Sequence, residues 1–271
     1  MHGPEALLDR VVEVCPLPAT TQQVLSLTAG DTASIPEVAR VISSDPALAA
    51  AVLSVANSAA YGMGKVDRLE VAVMRLGLRE LHNLAAAMAL FAAFRSKAEL
   101  SLQLHELCVA SGSIAHRLAK ETGLTAPGGA FICGLLSEIG AMCCLAFDGK
   151  DYVKIFQETA GDVEARTARE IERYTVSSFA IGKRFLERNS LPENVCEAVG
   201  SELASDAQHE ALDQITLLAR HAPLLVRLYP NDKAAFEAAT DALAARVALP
   251  DVDGARLRQI CKTARASDAL D

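Results

Sequence analysis

Ala130-Phe131-Ile132-Cys133-Gly134-Leu135-Leu136-Ser137-Glu138-Ile139-Gly140-Ala141-Met142-Cys143-Cys144-Leu145-Ala146-Phe147 is the stretch on which the reading of this chain turns. It is apolar on every side, so as a helix it must be surrounded by protein. Its one charge, Glu138, falls in the middle of the predicted helix. A buried carboxylate is costly unless it is paired, hydrogen-bonded or protonated. Two readings follow. Either Glu138 is a polar group in a pocket that binds a ligand or acts as an acid, or it is paired with a buried Arg, a buried Lys or a helix N-terminus. The stretch has nearly the length of a membrane span, but its central charge, its glycines and its weak flanks point to the core helix of a soluble protein.

The rest of the composition agrees with a helical interior. Of 271 residues, 51% are hydrophobic, 4% are aromatic and none is tryptophan. Alanine and leucine dominate and β-branched alternation is scarce, which predicts an all-α fold. The net charge of −8 argues against nucleic acid, which requires a basic surface, and against docking on anionic lipid. The first residues lack the charged-then-apolar pattern of a signal peptide. None of the seven cysteines forms a C-x-x-C pair. They are read as reduced thiols of a cytoplasmic protein, most of them small core residues.

Outward from that stretch, punctuation marks the helices. Cys15-Pro16-Leu17-Pro18 is an extended lead-in to a helix over about 19–28 that stops near Gly30. Ser34-Ile35-Pro36-Glu37 has capping-box spacing, with Ser34 expected to cap and Glu37 to reach back. Asp45-Pro46 supplies an N-cap and a proline at the first helical position. That helix runs to Asn57, and Gly62 and Gly64 follow it. Leu69–Leu76 is a helix ending at Gly77. From Leu78 onward, Leu81, Leu84, Met88 and Phe91 form an apolar stripe. Further helices are expected over 104–121, 153–159, 163–174 and 177–188, and from Pro192. Three more span 212–228 (broken at Pro223), 234–246 and 253–266.

Two elements carry a family resemblance. Ile42-Ser43-Ser44-Asp45-Pro46-Ala47-Leu48 is one. Leu53-Ser54-Val55-Ala56-Asn57-Ser58-Ala59-Ala60-Tyr61-Gly62, followed by Ala72-Val73-Met74-Arg75-Leu76-Gly77-Leu78, is the other. In this order and spacing the chain resembles the HD-related output domain (HDOD) family over roughly residues 12–205. The resemblance implies an all-helical multi-helix fold, with an N-terminal helical lobe (1–100) packed on a degenerate HD-type lobe (101–205) and a C-terminal helical extension (206–271). It implies bacterial signal transduction as well. Such modules look like degenerate relatives of HD and HD-GYP phosphohydrolases, linked to receiver and cyclic-di-GMP signalling domains.

The resemblance also brings a test. A metal-dependent phosphohydrolase needs imidazoles and carboxylates converging on cations that polarise phosphate and activate water. The family context Gly-Leu-Leu-His-Asp-Ile-Gly corresponds here to Gly134-Leu135-Leu136-Ser137-Glu138-Ile139-Gly140, so serine and glutamate replace the His-Asp pair. The upstream ligand position falls near Leu107 or Cys108. Ser178 stands where related sequences often have a histidine, and the text after Leu191-Pro192-Glu193 reads Ser201-Glu202-Leu203. The metal site is read as dismantled. His105 and His116, eleven residues apart, share a helix face but lack a partner aspartate motif.

The candidate relict pocket is therefore Ser137, Glu138, His105 and Ser178, with no metal or other cofactor expected. A second constellation is a candidate interaction surface: Asn57 and Ser58 at a helix end, and Arg75, Arg79 and His82 beside Lys65 and Arg68. The plain alternatives are local backbone satisfaction for the first two and a solvated helix face for the rest. The function read from all this is a free-standing, non-catalytic HDOD adaptor. It is expected to bind a signalling protein of the receiver or cyclic-di-GMP-related kind, with no nucleic acid or membrane as partner and self-association left open. The alternatives are a diverged phosphohydrolase or phosphodiesterase, and a nucleotide sensor without turnover.

Overall fold

The computed structural model describes residues 19–28, 33–57, 65–94, 98–122, 127–159, 162–201, 214–229, 231–247 and 252–268, with Asp9 and Ser96. Every regular element among them is a helix. Ser58, Gly30, Gly62, Gly64 and the Cys15–Pro18 lead-in lie outside the described residues. The chain divides into two units, Pro16–Ala93 and Phe94–Asp271, the latter including Met1–Cys15.

The first unit contains α1 (Ala19–Thr28), α2 (Ile35–Ser43), α3 (Pro46–Ala56), α4 (Leu69–Leu76) and α5 (Leu78–Ala93). Helix α1 packs on α2 and α5, and α2 packs on α3 and α4. Val24, Val38, Ile42, Val52, Val73 and Leu81 are fully buried between them. The buried face of α5 differs from the predicted stripe, since Met88 and Phe91 are only half-buried. Leu81 and Leu84 are buried, and so are Ala85, Ala86, Ala87, Ala89 and Leu90, because alanines let neighbouring helices approach. Asp45 caps α3 as expected, accepting from Leu48 N–H at 3.1 Å. Ser34 occupies the N-cap position of α2, but its side chain makes no cap bond. Its carbonyl accepts from Glu37 and Val38 N–H instead, so the predicted capping box is not formed.

The second unit contains α6 (Glu99–Glu121), α7 (Pro127–Leu135), α8 (Ile139–Glu158), α9 (Val163–Tyr174), α10 (Ser178–Arg188), α11 (Glu193–Gly200), α12 (Gln214–Leu228), α13 (Lys233–Val247) and α14 (Gly254–Asp268). Helix α6 is its axis, flanked by α7, α8, α12 and α14. The expected helix over 153–159 is the second half of α8. It continues through a kink at Gly149, whose φ of 35° is open to glycine far more readily than to other residues. Helix α12 runs through Pro223 without a break.

The stretch that opened the reading is two helices, not one. Residues 136–138 form a turn in which Ser137 N–H bonds Gly134 O and Ile139 N–H bonds Leu136 O. Glu138 is the N-cap residue of α8, so it does not sit in mid-helix. The run Gly129–Glu158 has the length and hydropathy to cross a membrane, and 72% of its apolar window is buried inside the protein. That is the burial the all-round apolar pattern predicts.

Candidate functional site

The turn at 136–138 is held by two close helix crossings. At one, α7 meets α6 at Gly134: a Cβ there would lie 2.6 Å from Ser111 O. At the other, α8 meets α10 at Gly140: a Cβ there would lie 1.8 Å from Ser178 O. Backbone faces backbone at both, so the two glycines of the Gly-Leu-Leu-Ser-Glu-Ile-Gly text set the position of the Ser137-Glu138 turn. A packing duty accounts for both without any reference to a ligand.

Glu138 is 4% exposed, and both of its oxygens are taken. Oε2 lies 3.0 Å from Nη1 of Arg166, and Oε1 accepts from Nη2 of Arg227 at 2.6 Å. Arg166 comes from α9 and is 2% exposed. Its Nε is 3.4 Å from Glu170 Oε1 one turn along the same helix. Glu170 is fully buried. It accepts from Tyr152 Oη at 2.7 Å and from Ser178 N–H at 2.7 Å. The rings of Phe156 and Phe179 lie 5.5 and 6.0 Å from the Arg166 guanidinium carbon, a cation–π arrangement.

Burial raises the Glu138 carboxyl pKa, but Arg166 and Arg227 more than offset this and hold it below its ordinary value. For Arg166, burial lowers the pKa and Glu138 leads the groups that raise it, with a net upward shift. Burial and the neighbouring Glu170 push the Tyr152 phenol well up. The cluster sets two carboxyl groups, Glu138 and Glu170, against two guanidinium groups, Arg166 and Arg227, with the Tyr152 phenol beside them. Of the two readings of Glu138, the geometry is that of the paired carboxylate.

The other candidates fall at different distances from this cluster. Ser137 adjoins Glu138, and its hydroxyl is 4.0 Å from the Cys108 thiol. Burial, then Glu138, pushes that thiol up to about 12. Ser178 joins through its backbone N–H, not its hydroxyl. His105 donates from Nδ1 to Ser101 O, 2.7 Å away on its own helix. His116 stands edge-on to Phe131. Arg166, Glu170, Tyr152 and Arg227 were missed. Arg166 and Glu170 did leave a trace, since Val163, Arg166, Glu170 and Tyr174 recur at helical spacing and face inward together.

A metal centre does not fit these side chains. The serine is a poor ligand, and the one carboxylate at the turn has both oxygens in ion pairs. Among the described residues no group of three His, Cys, Asp or Glu converges as a metal site. A cavity of about 30 Å³ adjoins the cluster, lined by Ser137, Glu138, Phe179, Arg220 and Arg227 among others. That is room for about one water, whereas pockets for organic ligands occupy roughly 300–1,000 Å³.

In the first unit, three of the four described surface candidates are engaged locally. Asn57 donates to Val66 O at 2.7 Å and accepts from Val66 N–H at 2.6 Å. Arg75 donates to Ala56 O at the end of α3. Thr28 Oγ1 lies 2.8 Å from His82 Nδ1 and 2.7 Å from Val24 O. Arg79 is exposed.

Similarity to known proteins agrees with this architecture. Residues 14–203 match the HDOD domain. A protein of Treponema pallidum (strain Nichols), described as uncharacterized, is 27% identical over 204 residues. Those residues are 72% of this chain and 38% of that protein, so this chain spans well under half of its relative. Two solved structures share the fold closely. One, from Shewanella amazonensis SB2B and provisionally named a phosphohydrolase, has a TM-score of 0.67 at 23% identity, covering 96% of this chain and 93% of that one. The other is an HDOD domain protein of unknown function from Geobacter sulfurreducens, with a TM-score of 0.66 at 20% identity, covering 97% and 96%. A third, from Marinobacter aquaeolei VT8 and provisionally named a signal transduction protein, has a TM-score of 0.60 at 22% identity, covering 96% of this chain and 59% of that one. With more than half of its length matched by the family and a helical fold shared with an HDOD domain protein, the chain belongs to the HDOD domain family.

Proposed function

We propose that this HDOD protein is a non-catalytic signalling adaptor of the bacterial cytoplasm, acting through contact with a receiver-type or cyclic-di-GMP-related partner protein. The observation that carries the proposal is the state of Glu138. A carboxylate with one arginine on each oxygen is already charge-compensated from both sides, which disfavours it as a cation ligand, and an acid held below its ordinary pKa is a poor proton donor at neutral pH. The neighbouring thiol at Cys108 is held in its unreactive form. The small cavity argues against a resident nucleotide and so against the sensor reading. The signalling assignment draws on family membership and on the signal transduction name of the Marinobacter relative. The free state of the described cysteines supports a reducing compartment.

The test has two arms. Protein purified without chelator is supplied with Mn²⁺, Mg²⁺ or Fe²⁺ and assayed on generic phosphoesters and cyclic dinucleotides, with no turnover expected. Immobilised protein is then offered purified receiver and cyclase domains, and saturable binding to at least one is expected. Metal-dependent turnover that disappears in Glu138→Ala overturns the reading, and so does failure to bind any such domain.

A further inference from the structure

The side chains around the turn do not suit a divalent ion, yet they are arranged around a positive charge. We infer that the guanidinium of Arg166 holds the electrostatic place of a metal ion in this centre, with Arg227 as a second internal counter-ion. The inference rests on the non-catalytic reading above.

Arg166 bridges two carboxylates from different segments: Glu138 at 3.0 Å, at the head of α8, and Glu170 at 3.4 Å, within α9. Bridging carboxylates from separate elements is what a metal ion does for a fold, and a planar guanidinium with five donors can do it without leaving the chain. The outer partners are organised as they are around metals, where ligating groups are themselves held by hydrogen bonds. Here Tyr152 and the Ser178 N–H fix Glu170. Two acidic side chains stand against two arginines, so no surplus acidic group is left to balance an added divalent ion. Nε and Nη2 of Arg166 are both buried with no hydrogen-bond partner among the described residues, so Nε meets Glu170 as a charge contact at 3.4 Å and not as a hydrogen bond. Buried donors of this kind are costly and are tolerated here because the guanidinium as a whole is required between the carboxylates.

Removal of this internal cation should uncover a carboxylate pair able to take an external one. Thermal unfolding and calorimetric titration with millimolar MnCl₂ on wild type, Arg166→Ala and Arg166→Lys test this. Wild type should be unmoved by Mn²⁺. Arg166→Ala should unfold roughly 10 °C lower and regain part of that loss with Mn²⁺. Arg166→Lys, which keeps the charge without the fork, should lose less and stay blind to Mn²⁺. If Arg166→Ala does not fold, the lysine variant carries the test, and its unfolding or its response to Mn²⁺ counts against the inference. The inference is overturned if Arg166→Ala is as stable as wild type or gains nothing from Mn²⁺, or if wild type binds Mn²⁺ and Glu138→Gln abolishes the binding. An inert wild type with a stable Arg166→Ala overturns this inference alone, whereas turnover by wild type overturns the adaptor reading.

Discussion

Gly140→Ala should be among the most damaging single-methyl additions this chain can suffer. The new Cβ would lie 1.8 Å from Ser178 O, 2.7 Å from Ser178 C and 2.8 Å from Gly182 N. All three are backbone atoms of α10 or its first turn, so no side chain can swing aside and the clash is relieved only by parting α8 from α10. That movement draws the Ser178 N–H away from Glu170 and loosens the buried ion cluster. Overpacking in a core usually costs about 1–3 kcal/mol. A backbone clash this close belongs at or above the top of that range, a fall of roughly 10 °C in Tm for a unit of this size. Gly129 in α7 is the internal control, since a Cβ there meets nothing within 4 Å. Gly129→Ala should therefore stabilise by about 0.4–1 kcal/mol through the unfolded chain. Calorimetric or circular-dichroism melting of both variants decides the matter. A Gly140→Ala protein melting within a degree or so of wild type would refute the close-crossing account of the motif glycines.

Three further outcomes are expected. Asn57→Ala removes both bonds to Val66 and should lower stability by about 1–2 kcal/mol, read by denaturant unfolding, whereas Arg79→Ala on the exposed face should change it by less than about 0.5 kcal/mol. Because the folded state holds Glu138 below its ordinary value near 4.5, its contribution is complete above that pH and is lost as pH falls through and below it. The stability gap between wild type and Glu138→Gln should accordingly narrow on acidification below 4.5, and a gap independent of pH would contradict the assigned charge state. Cys108 and Cys261, each pushed up to about 12 chiefly by burial, should resist alkylation in the native protein at pH 8 and react once it is unfolded.

Much of the fold was written locally. The helix over Leu69–Leu76 and the one over Val163–Tyr174 fall where the periodicity puts them, and Asp45-Pro46 starts its helix by capping chemistry that needs no tertiary help. The break at 136–138 was not legible, because a stretch apolar on every side has no polar face whose interruption would mark a boundary. Val153 was assigned to a separate helix, yet the chain carries one helix past it through a kink at Gly149. The centre itself was half visible. Ser137 and Glu138 stood out as substitutions within a known text and as a charge in an oily run. Their partners did not, since Arg166 lies in a helix that looks merely charged, and Arg227 is 89 residues away in sequence from the oxygen it donates to. Long-range ion pairs leave no periodic mark. The basic stripe of Arg75 and His82 shows the reverse, a pattern suggestive in sequence whose polar atoms are engaged with their own unit.

Arg227 carries one more consequence. It belongs to a helix that begins after residue 203, where the family match stops. A protein trimmed to the HDOD match would keep Glu138 and lose one of its two counter-ions, while stripping α12 and α14 from the flanks of α6. The family match and the compact second unit of this molecule therefore have different edges. The last helices complete the interior of the second unit and are not an appendage to it.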